Sequence, residues 1–250
     1  MIVYKSADEI SKMRAAGRVV FGTIERVTAA VAPGKTTSDL DRVAASYITE
    51  RGAEPSFKGY RGFPATICTS INNEIVHGIP SKRRVLKPGD LLSLDFGAIW
   101  EGFHADAAVT VFVGAPPSAE AEKLVMATKE ALDAGISAIR PAGRLSDIGA
   151  AIQDVTEGAG FSLVREYGGH GIGRSLHEDP FIQNFGPPGR GPELRPGLVL
   201  AVEPMANIGG PETRLLGDEW TVTTADGSLS AHFEHTIAVT EDGHEVLTVG

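Results

Sequence analysis

The chain has 250 residues, of which 42% are hydrophobic and 22% charged, and its mean hydropathy is −0.02. These values predict a globular protein with a sizeable core, and no apolar run approaches the roughly 18 residues that would span a membrane. The net charge is −9 and the 23 Lys and Arg residues are scattered, which disfavours a surface that binds nucleic acid through its phosphates.

The first element in chain order is predicted to be a long amphipathic helix. Ser6 and Glu9 have the spacing of a capping box, and apolar residues then recur in steps of three and four as far as Val31. A second helix is predicted from about Ser38 to Gly52. The acidic residues at the start are not typical of a secretory signal, so we expect a cytoplasmic location.

The same order of elements returns in the second part of the chain. A strand-rich stretch extends to Val113, and two further helices are predicted, from about Ser118 to Ile139 and from Ser146 to about residue 160. Residues 33–40 align with 141–148, and 86–95 align with 194–203, at a shared offset of 108 residues. Because this period is far longer than that of solenoid repeats, we interpret residues 6–113 and 118–240 as pseudo-symmetric halves of one domain.

Two acidic residues lie inside predicted strands of the first half. The strands Leu91–Trp100 and Phe103–Val113 are joined near Glu101-Gly102, and a two-residue loop would put Asp95 and Asp106 on one face as neighbours. Like charges side by side destabilise a sheet, so a cation is expected between them. A three-residue loop would instead send the two side chains to opposite faces and leave Asp106 solvated.

The second half supplies two more carboxylates. Glu203 closes the apolar run 198–202, and Glu234 lies within a strand predicted over 231–239. Four carboxylates in one cleft need compensation, which two divalent cations would provide. Since Cys68 is the single cysteine, an internal disulfide and a thiolate zinc cluster are excluded, and oxygen and nitrogen ligands suit Mn, Fe, Co or Zn.

Three histidines are candidates to complete the site. His170 and His177 lie in the glycine-dense segment 167–177, whose backbone could pack close to a ligand, although its spacing is not that of a dinucleotide loop. His77 lies in a predicted loop and is uninformative by itself, because a lone histidine is more often a hydrogen-bonded structural residue than a catalyst.

Five separated motifs resemble those of the type I methionine aminopeptidases of peptidase family M24. They are Asn-x-x-x-x-His-Gly-Ile-Pro ending at 80, Asp95-x10-Asp106, Gly-His-Gly-Ile-Gly with a second His seven positions on, Val-Glu-Pro-Met and Phe-Glu-His-Thr. The resemblance implies the α+β pita-bread fold, with a central antiparallel sheet, flanking helices and an internal pseudo-two-fold. It also implies metal-dependent removal of the initiator methionine from nascent proteins and peptides when the second residue is small.

The resemblance assigns roles to individual positions. Two divalent ions would be held by five residues, with Asp106 and Glu234 bridging: Asp95, Asp106, His170, Glu203 and Glu234. His77 would lie near the scissile bond and His177 beside the carbonyl oxygen, and Glu203 would carry the proton. The methionine pocket would be lined by Phe57, Tyr60, Phe63, Cys68, Leu176 and Trp220, although core packing also explains Phe57 and Leu176. The implied partner is the N-terminal methionine of nascent chains, with transient proximity to the ribosome, and a monomer is expected.

The sequence also departs from the family pattern near the site. Ala201, Gly97 and Ala108 stand where some members carry hydroxyl residues, and Leu176 replaces an aromatic residue, so altered hydrogen bonding around the metal ligands and a looser pocket are expected. Two alternatives remain open. A proline-specific peptidase of this fold would use the same five ligands but generally carries an extra N-terminal domain, and a binding module of this fold usually loses ligands.

Overall fold

The computed structural model describes all 250 residues, with four α-helices, a single 3-10 turn and fifteen strands. The helices are α1 (Ala7–Ala30), α2 (Thr37–Glu50), α3 (Ala119–Ser137) and α4 (Leu145–Gly158), and the 3-10 turn is Tyr60–Gly62. The strands are β1 (Glu54–Pro55), β2 (Ile67–Ile71), β3 (Glu74–Val76), β4 (Leu91–Trp100), β5 (Phe103–Phe112), β6 (Ser162–Leu163), β7 (Gly169–Gly171), β8 (Glu178–Ile182), β9 (Val199–Val202), β10 (Met205–Asn207), β11 (Thr213–Leu215), β12 (Val222–Thr224), β13 (Ser230–His232), β14 (His235–Val239) and β15 (His244–Val246).

Three of the four helices begin where a Ser or Thr side chain caps the first turn. Ser6 and Glu9 form the predicted capping box of α1, and Thr36 and Asp39 form a second one at the start of α2. The Ser118 hydroxyl accepts from the Ala121 amide at the start of α3. These side chains satisfy backbone amides that have no partner within the helix, which fixes each start to within a residue or two of its prediction.

The hairpin β4–β5 has the predicted two-residue loop. Glu101 and Gly102 both have positive φ, 48° and 77°, as a type I′ turn requires. The register pairs Asp95 with Ala108 and Gly97 with Asp106. Since residues two apart in a strand share a face, Asp95 and Asp106 are diagonal neighbours on the same side of the sheet.

The strands form four antiparallel ladders. The first half supplies β1-β4-β2 with β5 paired to β4, and the second half supplies β15-β14-β9-β7-β8. Two three-stranded ladders, β13-β10-β6 and β11-β12-β3, complete the sheet structure. No helix is both long enough and apolar enough to cross a membrane.

One seam runs along the free edge of β5 and joins it to β14 of the second large ladder and to β13 of a three-stranded ladder. Ala108 and Glu234 exchange backbone hydrogen bonds at 3.3 and 2.9 Å. On either side a threonine hydroxyl replaces the backbone partner: Thr236 Oγ1 bonds the N–H and C=O of Asp106, and Thr110 Oγ1 bonds those of His232.

This seam explains why the prediction of one continuous strand over 231–239 was wrong. The ladder ends at His232 and resumes at His235, because Phe233 donates to Pro204 and Glu234 pairs with Ala108. Glu203 likewise lies in the break between β9 and β10. Both glutamates therefore stand at interruptions of the sheet, where a side chain can leave the strand surface.

Local pairings recur at the offset found in the sequence. An isolated bridge joins Thr36 to Val85, and its counterpart joins Arg144 to Glu193. The largest apolar cluster packs α1 and α2 on β4 and β5, and the next packs α3 and α4 on β9 and β14. A third cluster surrounds the cavity described next.

Candidate metal and substrate site

A cavity of about 150 Å³ opens beside the seam. It is lined by fourteen residues, of which thirteen are those singled out from the sequence: Phe57, Tyr60, Phe63, Cys68, His77, Asp95, Asp106, His170, Leu176, His177, Glu203, Trp220 and Glu234. The fourteenth is Arg61, an exposed residue of the 3-10 turn. Cavities of about this size bind a ligand such as benzene, so one side chain fits.

A compact group of ligand atoms lies in this cavity. One ligand atom from each of Asp106, His170 and Glu234 lies within 4.8 Å of the others, and all three residues are buried. His170 Nε2 is 3.8 Å from Asp106 Oδ2 and 3.6 Å from Glu203 Oε1. These separations are too long for direct hydrogen bonds and suit donors that converge on a metal ion.

The four carboxylates lack an internal counter-charge. No Lys or Arg forms an ion pair with them, and Asp95 Oδ1 is buried without a hydrogen-bond partner. Burial, followed by the neighbouring acids Asp106 and Glu203, raises the pKa of Asp95 to about 8. Burial raises the pKa of Glu203 to about 7, and it holds the pKa values of Asp106 and Glu234 well above their usual range. Divalent cations would supply the missing charge.

Sequence reasoning missed two residues of this cluster. His232 Nε2 is buried without a hydrogen bond, 3.5 Å from Glu203 Oε2. The Thr236 hydroxyl accepts from the Asp106 amide at 3.0 Å and lies 3.2 Å from Asp106 Oδ1. Alternation in an extended segment was the available signal, because residues two before and two after Glu234 face the same side.

The glycines on either side of His170 were expected to let the backbone approach a ligand, but they let it approach neighbouring strands. A Cβ atom on Gly169 would lie 2.3 Å from the Ala201 carbonyl oxygen, and one on Gly171 would lie 2.2 Å from that of Asp179. The backbone therefore packs against neighbouring strands rather than against a ligand. This close packing seats β7 between β8 and β9 and directs His170 into the acidic cluster.

His177 is oriented by an aromatic hydroxyl. Its Nδ1 is 2.9 Å from the Tyr60 hydroxyl, the two rings are stacked with centroids 5.3 Å apart, and the ring of His170 lies 4.1 Å away. Desolvation, followed by the neighbouring His170 and His77, lowers the pKa of His177 to about 3. When the Tyr60 hydroxyl donates to Nδ1 of the neutral ring, the ring proton is on Nε2, where it can be donated.

His77 reaches the same cavity from a strained backbone position. Its φ is 61°, which is uncommon for a residue with a side chain, and its ring makes edge contacts with Tyr167 and Trp220 at 6.1 and 6.2 Å. Burial lowers the pKa of His77 to about 4. Strain of this kind is retained where the surrounding structure requires it, often at functional sites.

The apolar walls form a continuous cluster. Phe63 and Trp220 meet edge to face with ring centroids 5.1 Å apart, and Phe57, Cys68 and Leu176 are buried beside them. Burial raises the pKa of the Cys68 thiol, which keeps it protonated and unreactive.

Gly97 belongs to this packing. A Cβ atom there would lie 2.6 Å from the Phe57 ring and 2.7 Å from Ser56 Cβ, so a hydroxyl-bearing residue has no room.

Comparison with known proteins places these features in a family. The model of metallopeptidase family M24 matches residues 11–241. The "Methionine aminopeptidase 1" of Mycobacterium tuberculosis (strain CDC 1551 / Oshkosh) is 52% identical over 256 residues, covering 100% of this chain and 96% of that protein. The "Methionine aminopeptidase 1" of Bacillus subtilis (strain 168) is 50% identical, covering 99% of each.

Solved structures give the same picture of the fold. A crystal structure of methionine aminopeptidase from Thermotoga maritima superposes with a TM-score of 0.98 at 44% identity, covering 100% of both chains. The prolidase from Pyrococcus furiosus has a TM-score of 0.80 at 19% identity, and the match covers 99% of this chain and 66% of that one. The latter likeness concerns the fold alone, which is the α+β pita-bread fold.

Proposed function

We propose that this protein hydrolyses the first peptide bond of polypeptides that begin with methionine, because it belongs to metallopeptidase family M24 and, within that family, to the methionine aminopeptidases. The observation that carries this proposal is the junction of two surfaces in one cavity. Buried carboxylates with His170 adjoin an apolar pocket large enough for one side chain. A hydrolytic centre beside a pocket for a terminal side chain is what an exopeptidase needs.

The donor set supports binding of two divalent ions. We propose that Asp95, Asp106, His170, Glu203 and Glu234 hold them, with Asp106 and Glu234 shared between the ions. The raised carboxyl pKa values and the unpartnered Asp95 Oδ1 fit a site completed by cations. Mn, Fe, Co and Zn all suit oxygen donors with one imidazole. When bound, the ions supply Lewis-acid polarisation of a carbonyl and activation of water.

The protein groups then have distinct tasks. We propose that His177 donates its Nε2 proton in a hydrogen bond to the carbonyl oxygen, because Tyr60 engages the other ring nitrogen. His77, neutral and half-buried, orients the peptide near the scissile bond. Glu203 Oε2 lies 3.5 Å from His232 Nε2, and we propose that this carboxylate takes a proton and delivers it to the leaving amine.

The pocket chemistry supports methionine as the first residue. Tyr60, Phe63 and Trp220 supply aromatic surface, and a thioether gains about 0.3 to 1.5 kcal/mol from each sulfur–aromatic contact beyond simple burial. Leu176, which replaces the aromatic residue of the family pattern, is buried in the same cluster. His77 and His177 line the cavity beside this pocket, which leaves space for a small second residue.

Further parts of this proposal concern the source of the substrate, the oligomeric state, the cellular location and the two halves of the chain. We propose that the substrates are nascent polypeptides, that the enzyme works as a monomer in the cytoplasm, and that it acts in transient proximity to ribosomes. We also propose that residues 6–113 and 118–240 are two pseudo-symmetric halves of a single domain, supported by the bridges that recur 108 residues apart.

A panel of peptides tests the proposal. Metal-free protein is titrated with Mn, Fe, Co and Zn, and the activity is followed on Met-X peptides with X from Gly to Trp. Leu-Ala and acetyl-Met-Ala peptides serve as controls. Cleavage confined to a free N-terminal Met before a small residue supports the proposal. Comparable cleavage of Met-Lys and Met-Ala, or preference for X-Pro bonds, would instead favour a proline-specific peptidase, and metal-independent binding without turnover would favour a binding module.

A further inference from the structure

The segment before α1 is fastened to the loop that carries His177. Lys5 Nζ lies 2.7 Å from Glu178 Oε2 and donates to the Val3 carbonyl at 3.0 Å, while the Lys5 amide donates to Gly197. The side chains of Lys5 and Glu178 are only 2% and 12% exposed. A buried ion pair constrains its surroundings, because either charge left without its partner is strongly disfavoured.

The pair is in direct contact with the loop backbone. Residues 172–177 connect β7 to β8, and the other oxygen of Glu178 accepts from the Ser175 amide at 3.2 Å. A Cβ atom on Gly173 would lie 2.4 Å from Lys5 Cε and 2.7 Å from Glu178 Oε1. The ion pair therefore fills the space against the loop and leaves it little freedom to shift.

We propose that Lys5 is a positioning residue for His177. Lys5 holds Glu178, and Glu178 fixes the loop whose last residue, His177, points its free ring nitrogen at the substrate carbonyl. This inference rests on the proposed function, in which His177 stabilises the transition state. Lys5 does not line the cavity, so its loss should change turnover and leave substrate binding nearly intact.

The first test is Lys5→Met in the full, metal-loaded chain. We expect kcat on a Met-Ala peptide to fall about 10- to 100-fold, since a misplacement of 1 Å can cost about 100-fold. KM should stay within about threefold and the metal content should be unchanged. The matched control is Arg174→Met, which removes an exposed contact of 3.3 Å between the same loop and Glu9 of α1, and its kcat should stay within about twofold.

A double variant separates positioning from stability. Lys5→Met/Glu178→Met removes both charges, so its Tm should recover relative to Lys5→Met, because an apolar pair replaces a broken ion pair. The double variant also removes Glu178, the acceptor of the Ser175 amide, so kcat should remain low. A kcat that recovers together with Tm would overturn the proposal and leave a structural role only. A wild-type kcat in Lys5→Met, or a change confined to KM, would also overturn the positioning role of Lys5 and leave the proposed function standing. The proposed function itself fails if the metal-loaded wild-type protein cleaves no peptide that begins with Met.

Discussion

Replacing Thr236 by Val should weaken both the fold and the metal site. The substitution keeps the side-chain shape but removes the hydroxyl that bonds the Asp106 amide at 3.0 Å, its carbonyl at 2.8 Å and Oδ1 at 3.2 Å. Thr236 is fully buried, so water cannot replace these bonds. A buried donor left without a partner costs about 1–3 kcal/mol, and we expect the free energy of unfolding to fall by that amount.

The same change should reach the metal ions through Asp106. Loss of a hydrogen bond to a ligand typically lowers metal affinity by about 10- to 100-fold. Urea unfolding of the metal-free protein measures the stability, and a competition titration with a chelator measures the affinity. Thr236→Ser is the control, because it keeps the hydroxyl and should preserve affinity to within about threefold. Wild-type stability and affinity in Thr236→Val, or equal losses in both variants, would refute the reasoning.

Three further outcomes follow from the site. Asp106→Ala or Glu234→Ala should reduce the metal content measured by elemental analysis and abolish turnover, and full occupancy with normal rates would contradict two shared carboxylates. His177→Ala should retain its metal and lose about 2.7 to 4 kcal/mol of transition-state stabilisation in kcat, so a change in KM alone would exclude the carbonyl role. In the metal-free protein the pKa values of Asp95 and Glu203 are raised to about 8 and about 7, so the folded state keeps protons that the unfolded chain releases near pH 4. The urea midpoint of the metal-free protein should therefore fall as the pH rises from about 4 to about 8. Bound metal should remove this dependence on pH.

Local chemistry made much of the fold predictable. The capping box at Ser6 and Glu9 located α1, and the Glu101-Gly102 turn fixed the hairpin register and therefore the face shared by Asp95 and Asp106. Thirteen of the fourteen residues that line the cavity were named from the residues or from the family resemblance, and they do meet in one place.

Tertiary partners account for what the sequence could not reveal. The break in the strand at Glu234 depends on a pairing with Ala108, more than a hundred residues away. Thr236 likewise depends on a distant partner, Asp106 of the first half. His232 meets Glu203 because β13 pairs with β10, which the sequence does not reveal either. Gly97 seemed to be a lost hydroxyl, because sequence does not reveal that the Phe57 ring occupies the space.

The threonine hydroxyls along the seam also act as spacers. Neighbouring strands that bond directly lie about 4.8 Å apart, and an oxygen atom inserted between their backbones holds them farther apart. Thr110 and Thr236 insert such an oxygen on either side of the Ala108–Glu234 pair, so β5 is bridged to β13 on one side of this pair and to β14 on the other through a side-chain oxygen. Because Asp106 and Glu234 both lie on this seam, we expect a substitution at Thr110, which does not line the cavity, to change the spacing of their backbones without removing a ligand.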